Sequence, residues 1–377
     1  MVDKQEKEGR ISSIEVFMAQ FPFKKPFNIS YTSYNSMDSI IVKIYTENGY
    51  FGYGEGTPDQ HVTGETVDSV YNNIKNNLAP TLIGERPEDI EKIHDLMNKT
   101  INKAPTAKAA LDIACFDLVG KKLKAPTYTL LGGRFHDNFP LTYVLSIDTP
   151  RTMANEALSA LEEGYQIIKI KVGQNAITDI KRIKNVAQSI NNRASLRIDA
   201  NQGWESSDKT IEVLSSLKGI KIDWLEQPVD SNNIDELQEV RKRTNVPIMA
   251  DESLLDVEDM RTIIDKKAAT KVNIKLMKCG GIYPALKILA LAESSKIECQ
   301  IGSMVESSVG SAAGYQIAFS KKIINSVELT GPLKFSKDIG NLYYDIPLFK
   351  LNSLPGLGID IDEKNFKSLT KFKTLIR

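Results

Sequence analysis

Residues with specialised structural roles are scarce in this chain of 377 residues, which has three cysteines, three histidines and two tryptophans. Cys115, Cys279 and Cys299 are odd in number and widely separated, so a disulfide framework is excluded and a reducing compartment is favoured. The polar and charged residues 1–10 lack the apolar stretch of a secretory signal. We therefore expect a cytoplasmic protein.

Long hydrophobic runs and an excess of charge of one sign are also absent. No stretch of about 18 apolar residues occurs, so no transmembrane helix is predicted. Lysine and arginine total 48, as do aspartate and glutamate, so the chain has no overall attraction for nucleic acid or an anionic membrane. We expect a globular protein that binds a small molecule rather than nucleic acid or a membrane, and a homo-oligomer is one state it could adopt.

Residues 1–135 combine strand and helix patterns. The β-branched run 39–46 and the run 50–55 flank Asn48-Gly49, a dipeptide typical of a two-residue hairpin turn. Helical periodicity follows over residues 66–78, 87–100 and 105–123. The sequence therefore predicts a separate α+β domain over this segment.

From about residue 140 onward, short apolar runs alternate with longer helical segments. The eight runs are residues 141–147, 167–171, 195–199, 222–226, 246–251, 271–275, 297–302 and 324–330. Their ends recur about every 26 residues, a period typical of repeated strand–helix units. Eight such units predict an α/β fold with a closed (β/α)8 TIM-type barrel over residues 136–330, although an open doubly wound sheet is the alternative. Residues 331–377 are expected to return to the N-terminal part.

Three consecutive strands of the predicted barrel end in a carboxylate, namely Asp199, Glu226 and Asp251. Active sites of such barrels lie at the carboxyl ends of the strands, and neighbouring strands are about 4.8 Å apart. The three side chains can therefore converge on one cation. Oxygen ligands alone favour Mg²⁺, and no histidine follows His136 to build a zinc site in the barrel.

Lys171 and Lys275 end the second and sixth strands and would face each other across the mouth of the barrel. A divalent cation and a second lysine nearby would lower the pKa of each amine toward neutrality, so that each could act as a general base. Two opposed bases indicate 1,1-proton transfer, with a metal stabilising the enediolate formed from a carboxylate substrate. The alternative is that both lysines only form salt bridges with the carboxylates.

Other polar residues near the strand ends are predicted to support the site. Asn201 and Glu252 would orient the metal ligands. Ser303 and Met304 after the seventh strand would line the substrate pocket, although simple packing explains them equally well. Glu328 on the eighth strand adds a further charged group at the same end of the barrel.

Five ordered segments of the chain coincide with the ends of barrel strands or lie directly beside them. They read KIKVG (169–173), DANQGW (199–204), WLEQPV (224–229), MADES (249–253) and NIKLMKCGGI (273–282). Together they resemble the enolase superfamily, and specifically its muconate-lactonizing-enzyme subgroup. The resemblance covers essentially the whole chain, and it implies that residues 1–135 are the capping domain of that family.

The resemblance also implies roles for individual residues. The three strand-end carboxylates would bind one Mg²⁺ per subunit, and the two opposed lysines would be the acid and the base. Lys169, the first lysine of the Lys-x-Lys motif, would support the substrate carboxylate and the enolate electrostatically. The chain would then be an isomerase, a racemase or epimerase acting on amino-acid derivatives.

Segments 24–44 and 52–70 resemble dipeptide epimerases, which invert the second residue of dipeptides such as L-Ala-L-Glu. Those enzymes normally hold the α-ammonium group of the dipeptide with an Asp-x-Asp on the eighth strand, where this chain has Glu328 and Thr330. Thr32 stands where Ala-Glu epimerases can place an arginine, although Lys24 or Lys25 could substitute for that arginine. Together with Tyr31 and Tyr34, Thr32 predicts a broader, less anionic pocket and broad specificity. The expected function is a Mg²⁺-dependent epimerase of L-Ala-Xaa dipeptides, with L-Ala-L/D-Glu among its substrates.

Other members of the same subgroup share the metal ligands and the lysines. Glu328 followed by Gly331-Pro332-Leu333 also resembles muconate cycloisomerases, and N-acylamino-acid racemases and succinylbenzoate synthases are further alternatives. Relatives that dehydrate acid sugars are disfavoured because they typically need a histidine on a later strand. A non-catalytic binding protein is the least favoured interpretation, since binding alone does not need two opposed bases.

Overall fold

A four-stranded antiparallel sheet forms the base of the N-terminal part in the computed structural model, which describes residues 9–377. In spatial order its strands are β14 (Thr370–Ile376), β1 (Ile11–Asn28), β2 (Ser33–Thr46) and β3 (Phe51–Gly56). The predicted hairpin joins β2 to β3, and Gly49 in its turn has a φ of +85°, which glycine adopts without steric cost. The turn residues therefore fix the register of this hairpin.

One long helix of the N-terminal part, α4, packs directly on this sheet. The helical segments here are α1 (Val67–Asn73), a π-helical turn (Ile74–Leu78), α2 (Ala79–Leu82), α3 (Ile90–Thr100), α4 (Pro105–Lys122) and α5 (Thr127–Leu130). Gly52, Gly54 and Gly56 occupy alternate positions of β3 and face α4. A β-carbon added at Gly54 would lie 1.9 Å from the carbonyl oxygen of Ala110. Glycine thus lets the helix backbone approach the strand closely.

Eight parallel strands form a second sheet, in which each strand pairs with its neighbours along the chain. They are β5 (Tyr143–Leu145), β6 (Ile167–Lys171), β7 (Ser195–Asp199), β8 (Trp224–Glu226), β9 (Ile248–Ala250), β10 (Lys271–Ile274), β11 (Glu298–Ile301) and β12 (Ile324–Val327). Thr142 Oγ1, directly before β5, lies 3.5 Å from the carbonyl oxygen of Val327, so the first and last strands meet. The predicted fold class, a (β/α)8 barrel with a capping domain, is confirmed.

Helices alternate with these strands along the chain. They are α6 (Pro150–Glu162), α7 (Ala176–Ile190), α8 (Ser207–Ser216), α9 (Ile234–Arg243), α10 (Val257–Lys266), α11 (Leu276–Cys279), α12 (Ile282–Ser294) and α13 (Ser308–Ser320). Consecutive residues of one strand, such as Ile248, Met249 and Ala250 of β9, are all buried, which explains why the strands appear in the sequence as continuous apolar runs. Within residues 9–377, none of the helices combines the length and the apolarity needed to cross a membrane.

The C-terminal segment runs back to the N-terminal part. Its elements are α14 (Gly331–Lys334), β13 (Leu348–Phe349), which pairs with β4 (Phe139–Pro140), and α15 (Glu363–Leu369). The final strand β14 pairs antiparallel with β1, from Ile14 opposite Ile376 to Ala19 opposite Thr370. The predicted division into residues 1–135, 136–330 and 331–377 stays a prediction.

A buried carboxylate joins the capping sheet to the barrel. Glu55 on β3 accepts hydrogen bonds from the Ser307 backbone N–H at 2.9 Å and from the Ser307 hydroxyl at 2.6 Å. The Gly310 N–H, in the first turn of α13, donates to the same side chain at 2.8 Å. Burial raises the pKa of Glu55 to about 7, although these donors oppose the rise. The contact fixes the loops that follow β3 above the mouth of the barrel.

Candidate active site

Three carboxylates converge where three adjacent barrel strands end. Asp199 and Glu226 are the last residues of β7 and β8 and pair in register, and Asp251 directly follows β9. All three residues are fully buried, and one oxygen from each lies within 4.8 Å of the others. Because carboxyl ends of parallel strands share one edge, the barrel brings these side chains together without further help from loops.

This donor set fits a divalent cation. Burial, together with Asp199 and Asp251, raises the pKa of Glu226 to about 8, which reflects repulsion among negative charges held close together. Glu226 Oε2 is buried, and although Lys169 Nζ lies 2.9 Å away, it accepts no well-aligned hydrogen bond from the described residues. Carboxylate oxygens alone suit Mg²⁺, which takes oxygen ligands and keeps open positions for water or substrate. The residues present therefore match the predicted metal.

Lys169 lies between the metal-binding carboxylates and the eighth strand. Its Nζ is 2.9 Å from Asp199 Oδ2, 2.9 Å from Glu226 Oε2 and 2.8 Å from Glu328 Oε2. Burial would lower the pKa of Lys169, but the three carboxylates raise it well above its ordinary value. Lys169 is thus a fixed ammonium, and Glu328 is already paired with it.

Lys171 and Lys275 reach the same space from opposite sides of the barrel. Three strands, β7 to β9, lie between β6, which ends at Lys171, and β10, which is followed by Lys275. Lys171 Nζ is 2.6 Å from Asp199 Oδ2 and 3.0 Å from Asn201 Oδ1. Lys275 Nζ is 2.7 Å from Asp251 Oδ2. The two amines thus contact different carboxylates of the cluster from opposite sides, and their roles as acid and base stay a prediction.

The predicted lowering of the lysine pKa by a divalent cation stays a prediction, and the carboxylates around Lys275 act in the opposite direction. Burial would lower the pKa of its ammonium, but the Asp251 carboxylate, supported by Glu252 and Glu226, raises it above the ordinary value. The prediction assumed the repulsion of a divalent cation, whereas the carboxylates by themselves favour the charged amine. The carboxylates by themselves therefore favour the ammonium form of Lys275, and its role as an acid and a base stays a prediction.

Asn201 and Glu252 lie beside the carboxylates, as the sequence suggested. The Asn201 side-chain amide donates to Glu252 Oε1 at 3.0 Å, and its backbone N–H donates to Asp199 Oδ1 at 3.0 Å. Asn201 Oδ1 also accepts from Lys171. Asn201 thus connects a metal-binding carboxylate to one of the opposed lysines, and its role in orienting both stays a prediction.

Two residues that sequence analysis did not single out also contact the carboxylates. Lys278 Nζ lies 2.5 Å from Asp251 Oδ1 and donates to the Asn273 carbonyl oxygen at 3.0 Å. The Asn273 side-chain amide donates to Glu226 Oε1 at 2.9 Å. Lys278 is buried, and a lysine three residues after Lys275 in the short helix α11 was the available signal.

Ser303 and Met304, predicted to line the pocket, surround a buried glutamate. The Ser303 hydroxyl donates to Glu306 Oε2 at 2.5 Å, and the Met304 N–H donates to Glu306 Oε1 at 2.8 Å. Burial raises the pKa of Glu306, although these donors oppose the rise. The Ser303 hydroxyl is therefore occupied by a hydrogen bond within its own loop. Contact of Ser303 or Met304 with a substrate stays a prediction.

Two loops of the capping sheet lie over the mouth of the barrel. The Ser30 hydroxyl donates to the Asn201 carbonyl oxygen at 3.0 Å, on the side of the mouth near Lys171. The Thr57 N–H donates to Met277 Sδ at 3.4 Å, just after Lys275. One loop thus contacts each side of the barrel mouth.

A carboxylate links these two loops. Tyr31 and Tyr34 donate from their hydroxyls to Asp59 Oδ2 at 2.9 Å and 2.8 Å. Sequence analysis expected the tyrosines and Thr32 to make the pocket less anionic, and it did not single out Asp59. The tyrosines thus hold a half-buried carboxylate, and their effect on the charge of the substrate pocket stays a prediction.

The fold and the site together define a class of enzyme. A barrel with three strand-end carboxylates and two opposed lysines is built to remove and return a proton on a carbon next to a carboxylate. Residues 152–365 match the family described as enolase C-terminal domain-like, and residues 13–132 match the mandelate racemase / muconate lactonizing enzyme N-terminal domain. The chain belongs to the enolase superfamily, which confirms the resemblance seen in its motifs.

Similar proteins narrow the class to racemases and epimerases. The N-succinyl-L-Arg/Lys racemase of Bacillus cereus is 55% identical over 98% of this chain and 100% of its own, and its crystal structure has a TM-score of 0.97. The L-Ala-D/L-Glu epimerase of Clostridium acetobutylicum is 38% identical over 93% of this chain and 98% of its own. A dipeptide epimerase from Enterococcus faecalis, solved with Mg and L-Leu-L-Tyr, is 37% identical over 93% and 99% of the chains, with a TM-score of 0.90. The chain is therefore an isomerase.

Proposed function

We propose that the chain is a Mg²⁺-dependent racemase of N-acylated amino acids, with N-succinylarginine and N-succinyllysine as its preferred substrates. This departs from the dipeptide epimerase expected from the sequence and takes up one of its alternatives. The observation that carries the proposal lies at the end of the eighth strand. Glu328 is paired there with Lys169, and Thr330 stands where dipeptide epimerases have the second aspartate of their Asp-x-Asp motif.

A dipeptide has a charged α-ammonium group that must be matched by carboxylates. Glu328 Oε2 lies 2.8 Å from Lys169 Nζ, so this carboxylate already has a cationic partner, although it shares that partner with Asp199 and Glu226, and Thr330 offers only a hydroxyl. A buried ammonium without an unpaired carboxylate is costly. In an N-acylated amino acid this nitrogen belongs to an uncharged amide, which a hydroxyl can match. The eighth strand therefore supports an amide in this position rather than an ammonium group.

The capping loops support a basic side chain on the substrate. Asp59 lies where the two loops meet, with Tyr31 and Tyr34 donating to one of its oxygens. The neighbouring Ser30 hydroxyl donates to the Asn201 carbonyl oxygen at 3.0 Å, so the loop that holds this carboxylate lies against the barrel mouth. A guanidinium or ammonium group pairs well with such a carboxylate. The relative from Bacillus cereus is named for the same two side chains.

In this proposal each opposed lysine serves one face of the α-carbon. A neutral Lys171 or Lys275 takes the α-proton from one enantiomer, and the ammonium on the other side returns a proton to the opposite face. Lys169 balances the negative charge that develops on the substrate carboxylate as the enediolate forms. Mg²⁺ held by the three strand-end carboxylates would supply a Lewis acid for that carboxylate.

We also propose a cytoplasmic location. Cys115, Cys279 and Cys299 are all free thiols, the state that a reducing compartment maintains. Burial raises the pKa of each thiol, so none is activated as a nucleophile.

The function is tested by α-proton exchange followed by NMR in D₂O with Mg²⁺. N-succinyl-L-arginine and N-succinyl-L-lysine are compared with L-Ala-L-Glu, L-Leu-L-Tyr and muconate. We expect kcat/KM to be at least about tenfold higher for the succinylated substrates than for either dipeptide, because a dipeptide leaves a charge unpaired. Faster exchange on a dipeptide would restore the epimerase interpretation, and consumption of muconate would favour a cycloisomerase.

Replacement of Asp59 by asparagine is expected to remove the preference for basic substrates. The variant should lose about 10- to 100-fold in kcat/KM for N-succinyl-L-arginine, since hydrogen bonds to charged groups contribute about 1.5–3 kcal/mol. N-succinyl-L-norleucine, which has no side-chain charge, should react within about twofold of the wild-type rate. Asp68→Asn on the exposed side of α1 is the control. Equal losses on both substrates would show that Asp59 only maintains the loops.

A further inference from the structure

A cavity of about 430 Å³ lies beside the eighth strand, between the capping sheet and the barrel. Its walls come from residues 23–27 of β1, from β5 and its flanking residues, and from the segment after β12. Thr330 lines it directly, so the cavity adjoins the position where the acyl group of the substrate is expected. Phe23, Phe27 and Leu333 make part of this wall apolar.

The ammonium group of Lys334 lies in this cavity and takes no part in the proposed mechanism. Lys334 Nζ lies 3.5 Å from the Val144 carbonyl oxygen and 4.5 Å from the centre of the Phe27 ring. No carboxylate in the described part of the chain forms an ion pair with it. Lys25 on the same cavity wall differs, because its ammonium is already paired with Glu156. Lys334 therefore has room for an anionic partner that the protein does not supply.

The protonation state of Lys334 suits such a partner. Burial lowers its pKa to about 8, while Glu328 and Glu156 favour the charged form. The amine is therefore mainly an ammonium at neutral pH, and a bound carboxylate would stabilise that form further. An ammonium among aromatic rings, with part of its hydration removed, binds an anion more strongly than an exposed lysine does.

We propose that Lys334 binds the terminal carboxylate of the N-succinyl group of the substrate. The amide of the substrate would lie near Thr330, its two methylene groups against the phenylalanine side chains, and the carboxylate at the Lys334 ammonium. This inference rests on the proposed function and identifies the feature of the acyl group that the site selects, a negative charge at its far end. It also assigns the space beside Glu328 to an anion rather than a cation.

The test compares two substrates that differ only in that charge. In wild-type enzyme with Mg²⁺, α-proton exchange is measured on N-succinyl-L-arginine and on N-acetyl-L-arginine. Lys334→Gln is expected to lower kcat/KM about 10- to 100-fold for the succinyl substrate, mainly through KM, and to change the acetyl substrate less than about twofold. Lys334→Arg keeps the charge and should restore most of the loss on the succinyl substrate.

Lys25→Gln is the matched control, since it removes the same charge from a wall of the same cavity. It should keep the preference for the succinyl substrate. A similar loss for Lys25→Gln, or equal losses on both substrates for Lys334→Gln, would overturn the inference and leave the racemase activity in place. Failure of the wild-type enzyme to exchange either N-acyl substrate would instead overturn the proposed function, and the inference with it. Activity of each variant on N-acetyl-L-arginine shows that it is folded.

Discussion

Replacement of Lys171 or Lys275 by alanine is expected to abolish racemisation, with a loss of about 10²- to 10⁴-fold or more in kcat. Lys171 ends β6 and Lys275 follows β10, on opposite sides of the barrel mouth, and in the proposed mechanism each lysine serves one face of the α-carbon. Loss of one amine therefore stops either the removal or the return of the proton for each enantiomer. Chiral chromatography of the N-succinylarginine product measures this directly.

The two variants should also differ in the exchange that they retain. A variant with one remaining base can remove and return a proton on one face, so one lysine variant should exchange the α-proton of the L-enantiomer only and the other that of the D-enantiomer only. Lys287→Ala, on the exposed side of α12, is the control. Racemisation by either active-site variant at the wild-type rate would show that the two-base scheme is wrong.

The fold should survive both substitutions. Asp199 keeps its contact with Lys169 at 2.9 Å when Lys171 is removed. Asp251 keeps its contact with Lys278 at 2.5 Å when Lys275 is removed. Each buried carboxylate thus retains a cationic partner, which avoids the large cost of an unpaired buried charge. Thermal unfolding within a few degrees of wild type would separate lost chemistry from lost structure.

Removal of the metal is expected to lower the rate of α-proton exchange by a similar factor. Chelation with EDTA should stop α-proton exchange, and added Mg²⁺ should restore it. Because the cation would bind the folded protein at three carboxylates within 4.8 Å of one another, Mg²⁺ should also raise the thermal midpoint. At a concentration about 100 times Kd, the stabilisation is about 2.7 kcal/mol.

Glu226→Gln tests which residues bind the cation. Glutamine keeps the shape of the side chain and an oxygen that can accept from the Asn273 amide, but it removes one charged ligand. We expect loss of the Mg²⁺-dependent rise in thermal midpoint and at least about a 10²-fold loss of activity. Glu293→Gln, exposed on α12, is the control. An unchanged response to Mg²⁺ in Glu226→Gln would mean that the cation binds elsewhere.

The barrel and its strand-end charges were the most predictable part of the molecule. Parallel barrel strands are buried on both faces, so each appears in the sequence as a short apolar run, and the repeat locates the ends of the strands. Asp199 and Glu226 fall on those ends and pair in register, because the order of the strands in space follows their order in the chain. The convergence of these strand-end carboxylates could therefore be predicted from the local sequence alone.

The capping sheet was harder to predict because its pairing is not local. β1 contains Pro22 and Pro26 and the charged pair Lys24-Lys25, which interrupt the alternation typical of a strand. Its partner β14 lies at the other end of the chain and is largely exposed, so it lacks a strong apolar pattern. Neither strand was predicted, and the pairing of β1 with β2 shifts its register between Pro22 and Phe27, where the two prolines and the lysine pair lie.

The residues that would select the substrate were missed for the same reason. Asp59 and Lys334 lie in loops or short helices, and their positions depend on contacts between the capping sheet and the barrel. Glu328 was recognised as a site residue, but its pairing with Lys169 depends on how the barrel brings β6 and β12 together. Motifs indicated the type of chemistry, whereas specificity depends on tertiary contacts.

The pairing of β1 with β14 has a consequence for the order of events during synthesis. When β1 leaves the ribosome, the strand that will cover one of its edges has not yet been translated. That edge has free N–H and C=O groups, which can pair with other chains until β14 arrives. Folding of N-terminal segments begins during translation at about 5–20 residues per second. The edge of β1 from Ile14 to Ala19 can therefore reach its final environment only once the residues of β14 have been translated.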